Sequence, residues 1–186
     1  MRKVVLYQLM SLDGVAEEPG DWLFDTDDAI FENLGQIIGD QDAVLMGRRT
    51  YEYWVDYWPT SDFEPFASFI NRTEKHIFTS SPLTKEWANS TPVSSPAAAY
   101  VADLKERPGK DIGIHGSIDL ARSLLRARLV DELRLVIAPT IAASGRRLFD
   151  SDDALQKLDM VDAVRTPTGA LLAHYRLEAP QAGASD

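Results

Sequence analysis

Asp42-Ala43-Val44-Leu45-Met46-Gly47-Arg48-Arg49-Thr50-Tyr51-Glu52 sets an apolar run, a glycine and two arginines in direct succession. The apolar run has the length of a buried strand, and Gly47 lets the backbone turn tightly and approach a ligand. The residues that follow, from Thr50 to Tyr57, predict a helix. A strand feeding a helix in this way is the building unit of a parallel sheet. Arg48 and Arg49 at such a junction, beside unpaired helix amides, are donors suited to a phosphate. A helix start with two solvated arginines explains the same residues equally well.

Outward from this stretch, apolar runs of strand length recur at Val4–Met10, His76–Thr79, Ile112–Ile114 and Leu133–Ala138. A closing pair, Val161–Arg165 and Leu171–Leu177, flanks the turn residues Thr166-Pro167-Thr168-Gly169. Between the strands, Ile30, Phe31, Leu34, Ile37 and Ile38 keep helical spacing up to Gly39. Ile118, Ala121, Leu124 and Leu125 form a second stripe, and a further helix is expected over Ala97–Glu106. The expected fold is a three-layer α/β domain over residues 1–178. Its central sheet is mostly parallel, with an antiparallel C-terminal edge hairpin, and its ligands sit beyond the C-terminal ends of the strands. Residues 179–186, small and polar, are expected to fray.

The whole-chain balance narrows the function. Of 186 residues, 29 are acidic and 19 basic, for a net charge of −10. That deficit of Lys and Arg excludes sequence-independent nucleic-acid binding. The absence of cysteine excludes thiolate catalysis, Cys-bound zinc and iron–sulfur clusters. No run is long enough to span a membrane. The opening Met1-Arg2-Lys3 with Val4-Val5-Leu6-Tyr7 is cut by Gln8 and lacks a cleavage site, so it is read as the first strand of a cytoplasmic protein.

Three more segments hold chemistry-bearing residues. In Ile114-His115-Gly116-Ser117-Ile118, Ser117 is placed to cap a helix and Gly116 to let amides close around an anion. In Thr79-Ser80-Ser81-Pro82, hydroxyls at a strand end suit a phosphate or simply a turn. Trp22, Asp25, Asp27 and Asp28 precede the first helix, where acids are explained by capping and the helix dipole. The functional alternative singles out Asp27 as a partly desolvated carboxylate, held above its usual pKa and able to relay a proton. Trp54, Tyr57, Trp58, Phe63, Phe66 and Phe69 form an aromatic cluster, read first as core or subunit contact and alternatively as substrate walling. No G-x-G-x-x-G, P-loop or G-x-S-x-G occurs, and His76, His115 and His174 have no metal-ligand spacing.

Taken in order, Ser11-Leu12-Asp13-Gly14, Asp42 to Glu52, and Asp111 to Ser117 followed by Leu129-Val130-Asp131-Glu132-Leu133 and Gly145-Arg146-Arg147-Leu148-Phe149 resemble the dihydrofolate reductase superfamily. The likeness is to the branch of the C-terminal reductase domain of the bifunctional riboflavin-synthesis deaminase–reductase. It implies an NADPH-dependent reductase. Carried over by position, Gly47, Arg48, Arg49 and Thr50 hold the cofactor's phosphates and adenosine end, and Ser80 and Ser81 meet its 2′-phosphate. Gly116, Ser117 and Ile118 receive the pyrophosphate, and Gln8 to Met10 with Asp13 and Gly14 border the nicotinamide. Trp22, Asp27 and Phe31 are spaced like the residues of a pterin pocket, with Asp27 as the catalytic acid. The chain departs from the folate reductases in placing His115 before Gly116, where they have paired glycines; this puts His115 near the substrate. The implied reaction is reduction of a C=N or C=O group of a small pyrimidine- or pterin-like molecule. Riboflavin-pathway-like reduction comes first, with dihydrofolate reduction or a silent NADPH-binding module as alternatives. The likeness, and the apolar content of Trp54–Ile70 and of the late strands, imply a homodimer.

Overall fold

Val4 and Leu6 face one way and Val5 and Tyr7 the other, because successive side chains of a strand point to opposite sides. All four are buried, so the strand they begin carries helices on both faces. The computed structural model describes residues 1–149 and 155–177, and the expected frayed tail lies outside them. That first strand, β1 (Val4–Ser11), is followed by β2 (Gln41–Gly47), β3 (Glu74–Phe78), β4 (Ser90–Val93) and β5 (Asp111–His115). β6 (Glu132–Ala138), β7 (Leu158–Arg165) and β8 (Leu171–Leu177) complete one sheet in the order β4-β3-β2-β5-β1-β6-β8-β7.

β4 through β6 pair in parallel, with β1 between β5 and β6. β8 runs antiparallel to both β6 and β7. The hairpin turns at Thr166–Gly169, where Gly169 takes φ 91° and its amide donates to the Thr166 carbonyl at 3.0 Å. The α/β class, the parallel centre and the antiparallel edge are as the sequence implies.

Five α-helices cover the sheet among the described residues: α1 (Asp28–Gly39), α2 (Arg48–Trp54), α3 (Phe66–Arg72), α4 (Ala97–Glu106) and α5 (Ile118–Arg126). α4 and α5 pack Val101, Leu104, Ala121 and Leu124 on Val4, Leu6, Leu45, Ile112 and Ile114. α1, α2 and α3 pack Ile30, Ile37, Tyr51, Phe66 and Ile70 on Val5, Tyr7, Val44 and Met46. Each fully buried aliphatic side chain contributes about 1.5–3 kcal/mol, so these two cores supply most of the fold's stabilisation.

Some elements differ from the expected ones. α2 starts at Arg48 and stops at Trp54, short of Tyr57; a 3-10 turn over Trp58–Thr60 and α3 then carry the aromatic cluster. β4 contains Pro92, which suits an edge strand because proline has no amide to donate. β7 begins at Leu158, ahead of the expected Val161.

Candidate active site

β1, β2 and β5 lie side by side at the centre of the sheet, and β1, the end of β5 and the helix that follows β2 line one cavity of about 480 Å³. That volume suits a small-molecule site, and the crevice beyond parallel strand ends is the usual place for one. Tyr7, Gln8 and Leu9 come from β1, and Glu17 to Gly20 from the segment after it. Arg49, Thr50, Tyr53 and Trp54 come from α2, and His115 to Ile118 from the β5–α5 junction. Trp54, Tyr57, Trp58, Phe63 and Phe66 all line the cavity, so the aromatic cluster walls it, while Phe69 belongs to the core. The wall rings pack edge to face, with Trp58 at 4.8 Å and Trp54 at 5.6 Å from Phe66.

Polar atoms mark this cavity as unfinished. Tyr7 Oη, Gln8 Oε1, Trp58 Nε1 and His115 Nδ1 are buried without a hydrogen-bond partner among the described residues, and all four residues line it. A buried polar group left unpaired costs about 1–3 kcal/mol, so such atoms mark where a ligand or water completes the structure. Burial pushes the His115 imidazole down to about 3, which makes it neutral at physiological pH. Burial pushes the Tyr7 phenol up, so it keeps its proton.

The β5–α5 junction opens toward the cavity. Gly116 and Ser117 both have positive φ, 64° and 52°. Two left-handed residues in a row leave the first-turn amides of α5 without intrahelical acceptors beside the cavity. Ser117 does not cap α5 with its side chain, contrary to expectation. Its left-handed backbone turns the hydroxyl across to the other loop, where Oγ accepts from the Gly47 amide at 3.0 Å and donates to Thr50 Oγ1 at 2.9 Å. The two loops expected to hold the cofactor's phosphates and its pyrophosphate are thus joined directly. The His115–Gly116 bond is trans; the one cis peptide among the described residues is Glu64–Pro65.

Of the expected cofactor residues, Gln8, Arg49, Thr50, Gly116, Ser117 and Ile118 meet at the cavity, together with His115. Arg48 sits beside them on α2, bonded to Glu52 at 2.6 Å and to the hydroxyl of Ser81, with Thr79 Oγ1 at 3.4 Å. Arg48 and Ser81 therefore do gather, next to an exposed Ser80. Met10 is instead a core residue. Asp13 and Gly14 form a clasp rather than a cavity wall. The Asp13 carboxylate accepts from Ser11 Oγ at 2.7 Å and from the amides of Ala142 and Ala143, which hold it at about 2.

The expected substrate side needs correction. Asp27 is the N-cap of α1, accepting from the Ile30 amide at 3.2 Å. Its other oxygen accepts from the Thr168 amide at 3.0 Å and from Thr168 Oγ1 at 2.7 Å. The bond from the Thr168 amide, chief among these, holds its carboxyl at about 2, opposite to the raised value a proton relay requires. Asp27 is a strut between α1 and the β7–β8 turn, outside the cavity lining. Trp22 is core, its Nε1 donating to the Glu17 carbonyl at 2.8 Å. Phe31 packs edge-on against Phe63 at 5.4 Å, behind the wall.

Residues not anticipated for this cavity are Tyr7, the neighbouring Gln41 bonded to His115, and Arg146, held by Asp119 and lying 3.9 Å from Glu17. Tyr7 follows buried Val5 at strand spacing, so its inward direction was legible; its empty hydroxyl was not.

The chain is 30% identical over 151 residues to the uncharacterized protein YwjB of Bacillus subtilis, a match covering 80% of this chain and 83% of the relative. A Shewanella sp. PV-4 protein named for riboflavin biosynthesis superposes with a TM-score of 0.78 at 15% identity, covering 95% of this chain and 99% of that one. The Thermotoga maritima diaminohydroxyphosphoribosylaminopyrimidine deaminase/5-amino-6-(5-phosphoribosylamino)uracil reductase superposes with a TM-score of 0.68 at 17% identity, over 95% of this chain and 56% of the longer one. At those identities the structural likeness is one of fold. The family model described as the RibD C-terminal domain matches residues 2–172, nearly all of the sheet and every cavity-lining segment, and the chain belongs to that reductase-like family.

Proposed function

We propose that this chain is a cytoplasmic, homodimeric, NADPH-dependent reductase acting on a C=N or C=O group of a small pyrimidine- or pterin-like molecule. An aminouracil of the kind named for the Thermotoga protein is the first candidate. The observation that carries the reading is the pairing, in one cavity, of unsatisfied buried polar atoms with a phosphate-suited rim. The Arg49 side chain at that rim makes no hydrogen bond or ion pair among the described residues, and α5 begins at the same rim. These groups fit a dinucleotide's phosphates.

NADPH, when bound, supplies the hydride. The protein's share is orientation and exclusion of water. The aromatic wall desolvates a flat ring, and Gln8, Tyr7 and His115 offer it polar partners. Tyr7, protonated and unpartnered, is assigned to donate a hydrogen bond to the heteroatom of the bond being reduced. Removing such a group costs on the order of 10²-fold in turnover, so Tyr7→Phe should lower kcat by about that factor. The dihydrofolate alternative loses support, since Trp22, Asp27 and Phe31 stand outside the cavity lining.

The test offers the purified chain NADPH with 5-amino-6-(5-phosphoribosylamino)uracil, with dihydrofolate and with no acceptor, and follows cofactor absorbance. Oxidation with the aminouracil alone is the expected result. NADPH binding by calorimetry without turnover on a broad carbonyl and imine panel would indicate a silent binding module. No binding at all would end the cofactor reading.

A further inference from the structure

Gln41 opens β2 and His115 closes β5, yet their side chains meet in the sheet's interior, with His115 Nε2 2.8 Å from Gln41 Oε1. The meeting place lies above Gly113. A Cβ there would stand 2.1 Å from Gln41 Oε1 and 2.8 Å from His115 Nε2, so the slot exists because residue 113 has no side chain. Both partners are withdrawn from water, Gln41 to 6% exposure and His115 to 3%. Phe66 and Phe69 pack on the imidazole at 5.1 and 5.7 Å, and Tyr7 at 5.8 Å.

In the orientation Gln41 adopts, its amide oxygen faces the ring and can only accept, so this bond requires the proton on His115 Nε2, and Gln41 Nε2 is left buried without a partner among the described residues. Nδ1 is then a bare lone pair, buried and without a partner among the described residues. Gln8 repeats the pattern: its Nε2 donates to the carbonyls of Leu9 at 3.0 Å and Ala16 at 3.3 Å, and its Oε1 is left over. Gln8 and His115 line the cavity together with Tyr7, so its lining residues hold two unpaired acceptors. Acceptors without protons are satisfied by a ligand that brings N–H donors.

We propose that Gln41 is a positioning residue that holds His115 in its Nε2–H tautomer, so that the Nδ1 acceptor selects substrates carrying a ring N–H. The proposal rests on reading this cavity as the substrate site. Gln41 stands behind His115, outside the cavity lining, and acts only through the ring. A site built to accept an N–H discriminates strongly against the analogue lacking it, because the buried acceptor is then left unpaired.

The test is imidazole ¹⁵N spectroscopy on histidine-labelled protein, with uracil as the N–H probe and 1,3-dimethyluracil as its blocked counterpart. The expected spectrum has His115 Nε2 protonated and Nδ1 bare, with the Nδ1 resonance moving on addition of uracil and unmoved by the dimethyl compound. Gln41→Met, close in volume, should give a mixture of tautomers and weaken uracil binding by about tenfold or more. Gln41→Glu, which keeps an acceptor oxygen, should retain the Nε2–H form. A wild-type ring protonated at Nδ1, an Nδ1 resonance unmoved by uracil, or a Met variant that keeps both tautomer and affinity would each overturn the proposal. The wild-type tautomer is read without any substitution, so a variant that fails to fold does not remove the test. Calorimetry with NADPH runs in parallel. Loss of cofactor binding with an intact His115 response would sink the reductase reading and leave this inference standing.

Discussion

Asp27 shows how one residue's role is set by partners far along the chain. Its carboxylate joins the Ile30 amide to Thr168, in the β7–β8 turn. Asp27→Asn should therefore leave turnover nearly intact and lower the melting temperature. The acid is held at about 2 against an ordinary 3.8. Its stabilisation is thus fully present above about pH 4 and is lost as pH falls toward 2, so wild type and variant should converge across that window in thermal melts. Unchanged stability at pH 7, or a large loss of turnover, would return Asp27 to the chemistry. Arg48 carries a second prediction at this scale. Its guanidinium already holds Ser81, so a 2′-phosphate placed there would meet a preformed donor set. Arg48→Ala should weaken NADPH by about tenfold, the scale of one charge-assisted hydrogen bond, and NADH much less. Equal losses by calorimetry would move the 2′-phosphate site elsewhere.

At the scale of elements, β5 is the most constrained piece. Ile112 and Ile114 fill one core while Gly113 leaves the opposite face open for Gln41 and His115. Gly113→Ala would force both buried side chains off their positions. Overpacking of this kind costs typically 1–3 kcal/mol, so chemical denaturation should show a loss of about that size and the His115 signals should shift. A neutral substitution would mean that the slot is roomier than its contacts indicate. Lys75 in β3 makes a related point. It is fully buried, donating to the carbonyls of Ile70 at 2.8 Å and Thr73 at 2.9 Å at the end of α3, with the Trp87 ring 4.6 Å away. A lysine in a strand reads as a surface residue, since its burial depends on acceptors that another element brings to it.

For the whole molecule, the outer edge strand β7 is exposed nearly throughout and carries Met160, Val161 and Val164 on its surface. Exposed apolar residues on an edge strand favour contact with another chain, which supports the proposed homodimer. Light scattering at micromolar concentration should give about twice 20.7 kDa; a monomer mass would dispose of it. No helix among the described residues is long and apolar enough to cross a membrane. What the sequence by itself determined is local. Apolar runs marked the central strands, helical period marked α1 and α5, and Gly47 and Gly116 marked the two loops, because runs, period and backbone freedom are properties of neighbouring residues. The tertiary structure decided what depends on partners distant in the chain. It made Asp27 a strut to Thr168, sent Ser117 to Gly47 and Thr50, buried Lys75, and set Gln41 against His115. Each of these polar groups has several possible partners in sequence, and only the packing of the sheet brings one of them within hydrogen-bond reach.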